Sequence, residues 1–400
     1  MKRIGLSVIA VVVFIFTIVT SLSCYAGEER GVGNDTVKVG FIMDQTGPAA
    51  SIAVTIIEGV RSLIQYQNDQ GGIHGRKIKL IVEDDRYSIP SAISAFKKLL
   101  FKDEVFALTG PSSTGAFSVI ASRIRKEKVP FISIVMPEIT VKPFKRYVFI
   151  FTDIYPNQMK VLVDYTVKDL KQKDQRIALV YPDNETGKID SASAIERLAL
   201  YNIKPVAKEV LSPAAFDASS QAMNLRRAKT TSVILCGMIP PPATVILRDL
   251  KKFGLSIPIF GSWATCVEEV IQMAGEAAGK FHAINSMSSW YDDGPGVAKM
   301  RKITLKYRPG TEKPYRGKLY TQGWVMSVVL LEGLDKAGRR LDTESFIHGL
   351  EGIKNLDTGG LTGPISFSSS DHKGGSTWKI FKADPSTGMF SPMTGWRKAE

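Results

Sequence analysis

The sequence predicts an α/β protein built as two doubly wound lobes, and three observations predict it. The segment Asn68–Asp85, NDQGGIHGRKIKLIVEDD, holds a complete helix-to-strand connection. Strand-like and helix-like runs then alternate through most of the chain in two successive series. Finally, 400 residues exceed one ordinary core, so two domains of roughly 100 to 200 residues each are expected.

The first strand is Val37–Met43. Ile56–Tyr66 carries apolar residues at helical spacing, and Gly71-Gly72 supplies the left-handed backbone that ends a helix without strain. After a turn at His74-Gly75-Arg76, Ile78, Leu80 and Val82 alternate with Lys77, Lys79 and Ile81, which is strand periodicity. These pieces form a βαβ unit. It implies a parallel sheet, whose ligands sit beyond the carboxyl ends of the strands. The first series continues with a helix over Ile93–Phe101, a buried strand over Val105–Thr109, a helix over Gly115–Lys126 and a strand over Pro130–Ile134.

A second series follows Val148–Phe151. It reads as helix Asn157–Leu170, strand Arg176–Tyr181, helix Asp190–Tyr201, strand Ile203–Val210 and helix Ala218–Arg227. Strand Ser232–Leu235, a helix that includes Arg248–Lys252 and strand Ile257–Phe260 complete it. Beyond Gly279 the pattern changes to a strand at Phe281–Ser286, an aromatic loop at Trp290–Gly296 and helices at Gly296–Tyr307 and Gln322–Lys336. From Gly359 only short strands and turns are expected.

The amino terminus is read as a secretory signal: Lys2 and Arg3 precede an apolar run from Val8 to Val19, then small residues lead to Ala26. A transmembrane anchor is the competing reading. Cleavage after Ala26 gives a free periplasmic protein, whereas processing before Cys24 gives a lipoprotein. Ser21 stands where a lipoprotein signal usually has Leu, which favours the soluble product. Loss of Lys2 and Arg3 lowers the formal charge from +13 to +11. The remaining basic residues are scattered along helices such as Ser122–Lys128 and not gathered with aromatics, so a solvated surface is expected and no nucleic-acid partner. Mild attraction for anionic ligands or membranes is compatible with it. Cys236 and Cys266 each follow a strand, and either a disulfide or two buried thiols fits.

Enzyme motifs fail on geometry. Gly275-Glu276-Ala277-Ala278-Gly279-Lys280 is one residue short of a phosphate loop, and Phe281 stands where the magnesium-binding hydroxyl belongs. Gly31-Val32-Gly33 precedes the first strand and cradles nothing. His74, His282, His348 and His372 lack ligand spacing, so neither metal nor cofactor is expected. No nucleophile elbow is present. Glycine and small hydroxyl residues do recur just after strands, at Thr46-Gly47-Pro48 and at Gly110-Pro111-Ser112-Ser113-Thr114-Gly115. The second loop opens a helix, whose N-terminus favours a carboxylate guest. Plain helix capping by Ser112, Ser113 and Thr114 is the alternative. Trp263, among small residues past a strand, either stacks on an apolar ligand or fills a core. Tyr155, Trp290 and Tyr291 are further aromatic candidates for the ligand, with a structural role the favoured reading of each.

Several of these segments together resemble one known family. Val37-Lys38-Val39-Gly40 leading to Thr46-Gly47-Pro48, the Gly71-Gly72-Ile73 turn, Asp84-Asp85, the Gly110-Pro111 loop and Gly363-Pro364-Ile365-Ser366-Phe367 occur in the order found in solute-binding proteins of branched-chain amino acid ABC transporters. These are periplasmic binding proteins of type I. The resemblance spans essentially all of the mature chain. It implies two Rossmann-like lobes joined by three crossovers near Ile150, Phe281 and Leu356, with lobe 1 as 34–150 plus 282–356 and lobe 2 as 151–281 plus 357–400. It also implies a monomer that closes on a small-molecule ligand and delivers it to an ABC permease in the inner membrane. A ligand-sensing component of a receptor with the same fold is the alternative.

The resemblance carries carboxylate binding onto Thr114, with Ser112 and Ser113 beside it. Elsewhere this sequence departs from the pattern. The next loop, Ser133-Ile134-Val135-Met136-Pro137, has no hydroxyl after Ser133, so Val135 and Met136 are expected at the ligand. Trp263 stands where the family has the acid that holds the ligand's ammonium. Thr186 and Ile239 stand where relatives have tyrosines, and the cysteines of the family's first-lobe disulfide are absent. Unpaired burial of an ammonium costs several kcal/mol, so an apolar or aromatic acid is expected over an ordinary amino acid.

Overall fold

The computed structural model describes residues 29–170, 173–309 and 316–400. The signal expected over residues 1–26, with its alternatives at Ala26 and Cys24, lies outside them.

The first lobe is a parallel sheet of β1 (Thr36–Met43), β2 (Lys77–Asp84), β3 (Ala107–Gly110), β4 (Phe131–Ser133) and β5 (Val148–Phe149), ordered β2-β1-β3-β4-β5. Helices α1 (Ala50–Asp69), α2 (Ile89–Phe101) and α3 (Thr114–Lys126) make the crossovers. In α3, Ala116, Phe117, Ile120 and Ile124 are buried at helical spacing, while Arg123, Arg125 and Lys126 in its last turn complement the helix dipole. The order reverses between β1 and β3, which opens a crevice at their carboxyl ends. Gly110 is required there: its φ is +124°, and a Cβ would stand 2.2 Å from the Ile42 carbonyl oxygen.

The second lobe uses the same logic. α4 (Tyr155–Asp164) leads to β6 (Ile177–Tyr181), α5 (Glu185–Ala199), β7 (Ala207–Val210), α6 (Ser219–Arg227), β8 (Ser232–Leu235), α7 (Pro240–Lys252), β9 (Ile259–Gly261), α8 (Glu268–Ala274) and β10 (Phe281–Asn285). With β11 (Lys379–Asp384) and β12 (Met389–Pro392) they form a sheet ordered β12-β11-β10-β9-β8-β6-β7. It is parallel from β7 to β10 and antiparallel beyond. The runs in β8 and β9 are buried throughout, as strands covered on both faces must be. The reversal here lies between β6 and β8.

After β10 the chain returns to the first lobe as α9 (Pro295–Tyr307), α10 (Lys318–Ala337) and α11 (Thr343–Glu351), with α10 packed on α1 and α11. The strand pairing moves two of the expected crossings. β10 pairs with β9, so residues 282–285 stay with the second lobe. Leu356 pairs with Ile365, and Lys373 bridges to Ile150 beside β5, so the chain leaves the first lobe between Lys373 and Lys379, well past Leu356. The Gly363–Phe367 segment folds back on the end of α11, with the Phe367 N–H donating to the Ile353 carbonyl at 3.0 Å. The sequence reading also missed α8 and α11, although Asp342 and Ser345 form a capping box at the start of α11. Cys236 and Cys266 are free and buried, which rules out the disulfide reading.

Candidate ligand-binding site

Both sheets aim their reversal points at one cleft. Its void is about 530 Å³, open mouth included. The first lobe contributes Ala49, Ile52 and Ala53 around the start of α1, Tyr87 after β2, Ser112 after β3, and Ile134 and Val135 after β4. The second lobe contributes Tyr155 at the start of α4, Thr186 in the first turn of α5, Gly237, Met238 and Ile239 after β8, and Ser262, Trp263 and Ala264 after β9.

The first-lobe loops are held by two buried carboxylates. Asp44 accepts from the Gly47 N–H at 2.5 Å and the Ala49 N–H at 2.8 Å. Asp85 accepts from the Ser112 N–H at 2.8 Å and the Tyr87 N–H at 3.0 Å. Burial pushes the Asp85 carboxyl up, opposed by these hydrogen bonds and reinforced by the nearby charge of Asp44. The Ser112 hydroxyl accepts from the Asp44 N–H and itself hydrogen-bonds to the Asp85 carboxylate, which locks the loop after β3 to the loops after β1 and β2. Burial, with Asp85 and Asp44 adding to it, pushes the Tyr87 phenol up to about 12, so it stays a neutral hydroxyl.

Five of the eight residues expected at the ligand line the cleft: Ser112, Val135, Thr186, Ile239 and Trp263. Thr114 sits one layer behind, accepting from the Thr186 hydroxyl at 2.8 Å. Ser113 caps α3, its hydroxyl accepting from the Ala116 N–H at 3.2 Å, so the capping reading holds for it. Met136 does not reach the cleft. Its thioether accepts from the Thr152 hydroxyl at 2.6 Å, on the side of the first crossover, and Ile134 takes the wall position instead.

Tyr87 and Ser262 were missed. The Ser262 hydroxyl oxygen is buried in the wall without a hydrogen-bond partner. Its place immediately after a strand at a carboxyl end was the available signal. Tyr155, read as structural, also lines the wall and hydrogen-bonds to Thr114, while burial holds its phenol proton firmly.

Two features fix the chemistry of the far wall. No Asp, Glu, Lys, Arg or His lines the cleft among the described residues. In addition, α7 opens with Pro240-Pro241-Pro242 directly after Ile239. A helix N-terminus ordinarily presents free N–H groups, but proline has none, so the end of α7 beside the cleft is stripped of donors. Gly237, at φ +60°, lets this loop lie on Thr186-Gly187, where a Cβ would stand 2.7 Å from the Gly187 nitrogen.

Two lobes enclosing a small apolar cleft with neutral donors define a solute-binding protein. The chain belongs to the periplasmic binding protein family, whose model matches residues 36–388. It is therefore a substrate-binding transport component of the kind that works with ABC permeases, and not an enzyme. Among curated relatives, the Leu/Ile/Val-binding protein BraC3 of Rhizobium johnstonii is 22% identical over 86% of this chain and 91% of its own length. A leucine-, isoleucine-, valine-, threonine- and alanine-binding protein of Pseudomonas aeruginosa is 22% identical over 76% of this chain and 79% of its own. Two solved structures share the fold. A branched-chain amino acid ABC transporter protein from Thermus thermophilus with bound valine has a TM-score of 0.84, 21% identity, and coverage of 92% of this chain and 97% of its own. A fatty acid ABC transporter substrate-binding protein from Thermomonospora curvata has a TM-score of 0.81, 21% identity, and coverage of 93% and 95%. No helix among the described residues is long and apolar enough to cross a membrane.

Proposed function

We propose that this protein captures a small apolar or aromatic carboxylate that lacks an ammonium group, and hands it to an ABC permease. The observation that carries the reading is the absence of any acidic side chain from the cleft wall among the described residues, with Trp263 at the position where the resemblance calls for an acid. An α-amino acid would bury its ammonium against Trp263, Met238 and Ile239, at a cost of several kcal/mol. A carboxylate has neutral donors within the same cleft, the Ser262 hydroxyl and the Tyr87 phenol, and Thr186 places the first turn of α5 in the wall, where a helix end favours negative charge. The proline-capped end of α7 suits the apolar end of such a ligand.

Thermal shift with octanoate, phenylacetate, leucine and valine tests it. Stabilisation by one of the two acids, and none by leucine or valine, is expected. Stabilisation by the amino acids alone overturns the reading.

A further inference from the structure

We infer that Asp190 and Gln158 form a buried relay that positions the two second-lobe loops of the cleft, and so sets ligand affinity without touching the ligand. Asp190 lies on α5 and Gln158 on α4, and both are fully buried. The Asp190 carboxyl group, whichever way it is protonated, accepts from the Gly237 N–H at 2.8 Å and lies 3.3 and 3.4 Å from the Gln158 amide nitrogen, which donates to it. The Gln158 amide oxygen accepts in turn from the Trp263 N–H at 3.2 Å. Gly237 and Trp263 both line the cleft, on loops that follow different strands. One chain of three links therefore ties the loop after β8 to the loop after β9.

The direction of the links matters. A glutamine amide offers donors at one end and an acceptor at the other. Gln158 can accept from the Trp263 N–H only while its amino group faces an acceptor, and Asp190 is that acceptor. Among the described residues no cation pairs with Asp190, which leaves these neutral donors as its partners. The titratable groups facing it are Tyr155 on α4 and the Cys236 thiol after β8, and burial keeps both protonated. A buried acid held only by neutral donors is costly. The position is explained by the two loops it anchors.

The test is a donor swap. In Asp190→Asn a single oxygen must serve both the Gly237 N–H and the Gln158 amide, while an amino group replaces the oxygen 3.4 Å from the Gln158 nitrogen, which weakens the hold on Gln158 and with it the acceptance from the Trp263 N–H. In the double variant Asp190→Asn with Gln158→Glu, the carboxylate introduced by the second substitution accepts from both sides and every link is restored. Amide hydrogen exchange in the unliganded protein reads the relay directly, with the Leu179 amide in the second-lobe core as the reference. In D190N the Trp263 amide should exchange about tenfold faster than in the wild type, with Leu179 unchanged, and the double variant should return it to the wild-type rate. Octanoate or phenylacetate affinity, whichever acid stabilises the protein, should fall and recover in step. An unchanged Trp263 amide in D190N, equal acceleration of Leu179, or no recovery in the double variant overturns the relay. The exchange measurement involves no ligand, so its outcome is independent of whether an acid is the ligand.

Discussion

The Thr186 hydroxyl donates to the Thr114 hydroxyl at 2.8 Å, from one lobe to the other. The two residues occupy the first turns of α5 and α3, so two helix N-termini meet across the cleft with like-signed dipole ends. Glu185 offsets this. Its carboxylate accepts from the Ser118 hydroxyl at 2.7 Å and lies beside Gly115 in the first turn of α3, where negative charge is favoured.

Neutralising that carboxylate should therefore loosen the joint. Glu185→Gln keeps the size and removes the charge, and a hydrogen bond to a charged group contributes about 1.5–3 kcal/mol. Octanoate binding measured by calorimetry should weaken about tenfold or more, while thermal stability without ligand stays nearly level. Small-angle scattering should show a more open average shape in the variant. Equal affinities for variant and wild type would show that this contact does not bias closure.

Much of the scaffold was legible because it is written in local pattern. Gly71-Gly72 ends α1, the alternation of Ile78 and Leu80 gives β2, and the buried runs of β8 and β9 give the second sheet. The crossings were less legible. Whether Phe281–Asn285 joins β9 or returns to the first lobe depends on pairing at long range, which an apolar run does not encode. At the site, Ser112 and Trp263 were expected from their places after strands, and Val135, Thr186 and Ile239 from the resemblance; all five line the cleft. Met136 was misplaced because one residue along an irregular loop turns a side chain from the cleft toward Thr152. Tyr87 sits at φ +55°, a conformation its sequence does not announce.

Trp263 offers a gain-of-function test. It is nearly buried in the cleft wall, and its backbone is clamped by Gln158 and by the Asn285 amide, which donates to its carbonyl at 3.2 Å. Replacing it by Glu introduces an acid at the position the resemblance assigns to ammonium recognition. Leucine should then raise the melting temperature of W263E and not of the wild type, while W263A should bind octanoate more than tenfold less tightly, as loss of a large apolar contact implies. Leucine binding by the wild type, with none gained in W263E, would contradict the assignment.

His282 makes stability depend on pH. It stacks on Phe260 with ring centroids 5.2 Å apart, and burial lowers its pKa from 6.5 to about 4. Between those values the unfolded chain binds a proton that the folded chain refuses. Its contribution is thus complete above about pH 6.5 and is lost as the pH falls toward 4, by on the order of 3 kcal/mol. Asp190 acts in the opposite sense: burial raises its pKa from 3.8 to about 8, so its contribution declines as the pH rises across that window. Urea unfolding from pH 4.5 to 7 should show H282F losing less stability on acidification than the wild type. Parallel curves for the two proteins would remove His282 as a source of the dependence.

A final prediction concerns Lys318, whose ammonium is fully buried 3.2 Å from Glu268. The lysine opens α10 in the first lobe and the glutamate opens α8 in the second, so the pair spans the lobes. A cation at a helix N-terminus opposes the dipole, and burial opposes the charge. The partners on the opposite side compensate: the Lys318 nitrogen lies 4.4 Å from the Phe381 ring centroid and 4.8 Å from that of Phe390, besides Glu268. The second carboxylate oxygen of Glu268 has no hydrogen-bond partner, so the glutamate relies on this lysine. Lys318→Met leaves a buried acid alone and should destabilise the protein by about 3–5 kcal/mol in urea. Adding Glu268→Leu removes that acid, and the double variant should recover most of the loss, because a well-packed apolar pair is often as stable as a buried ion pair. The recovery should come with weaker closure, since the specific bond between lobes is gone. Persistence of the full loss in the double variant would show that the lysine stabilises mainly through the two aromatic rings.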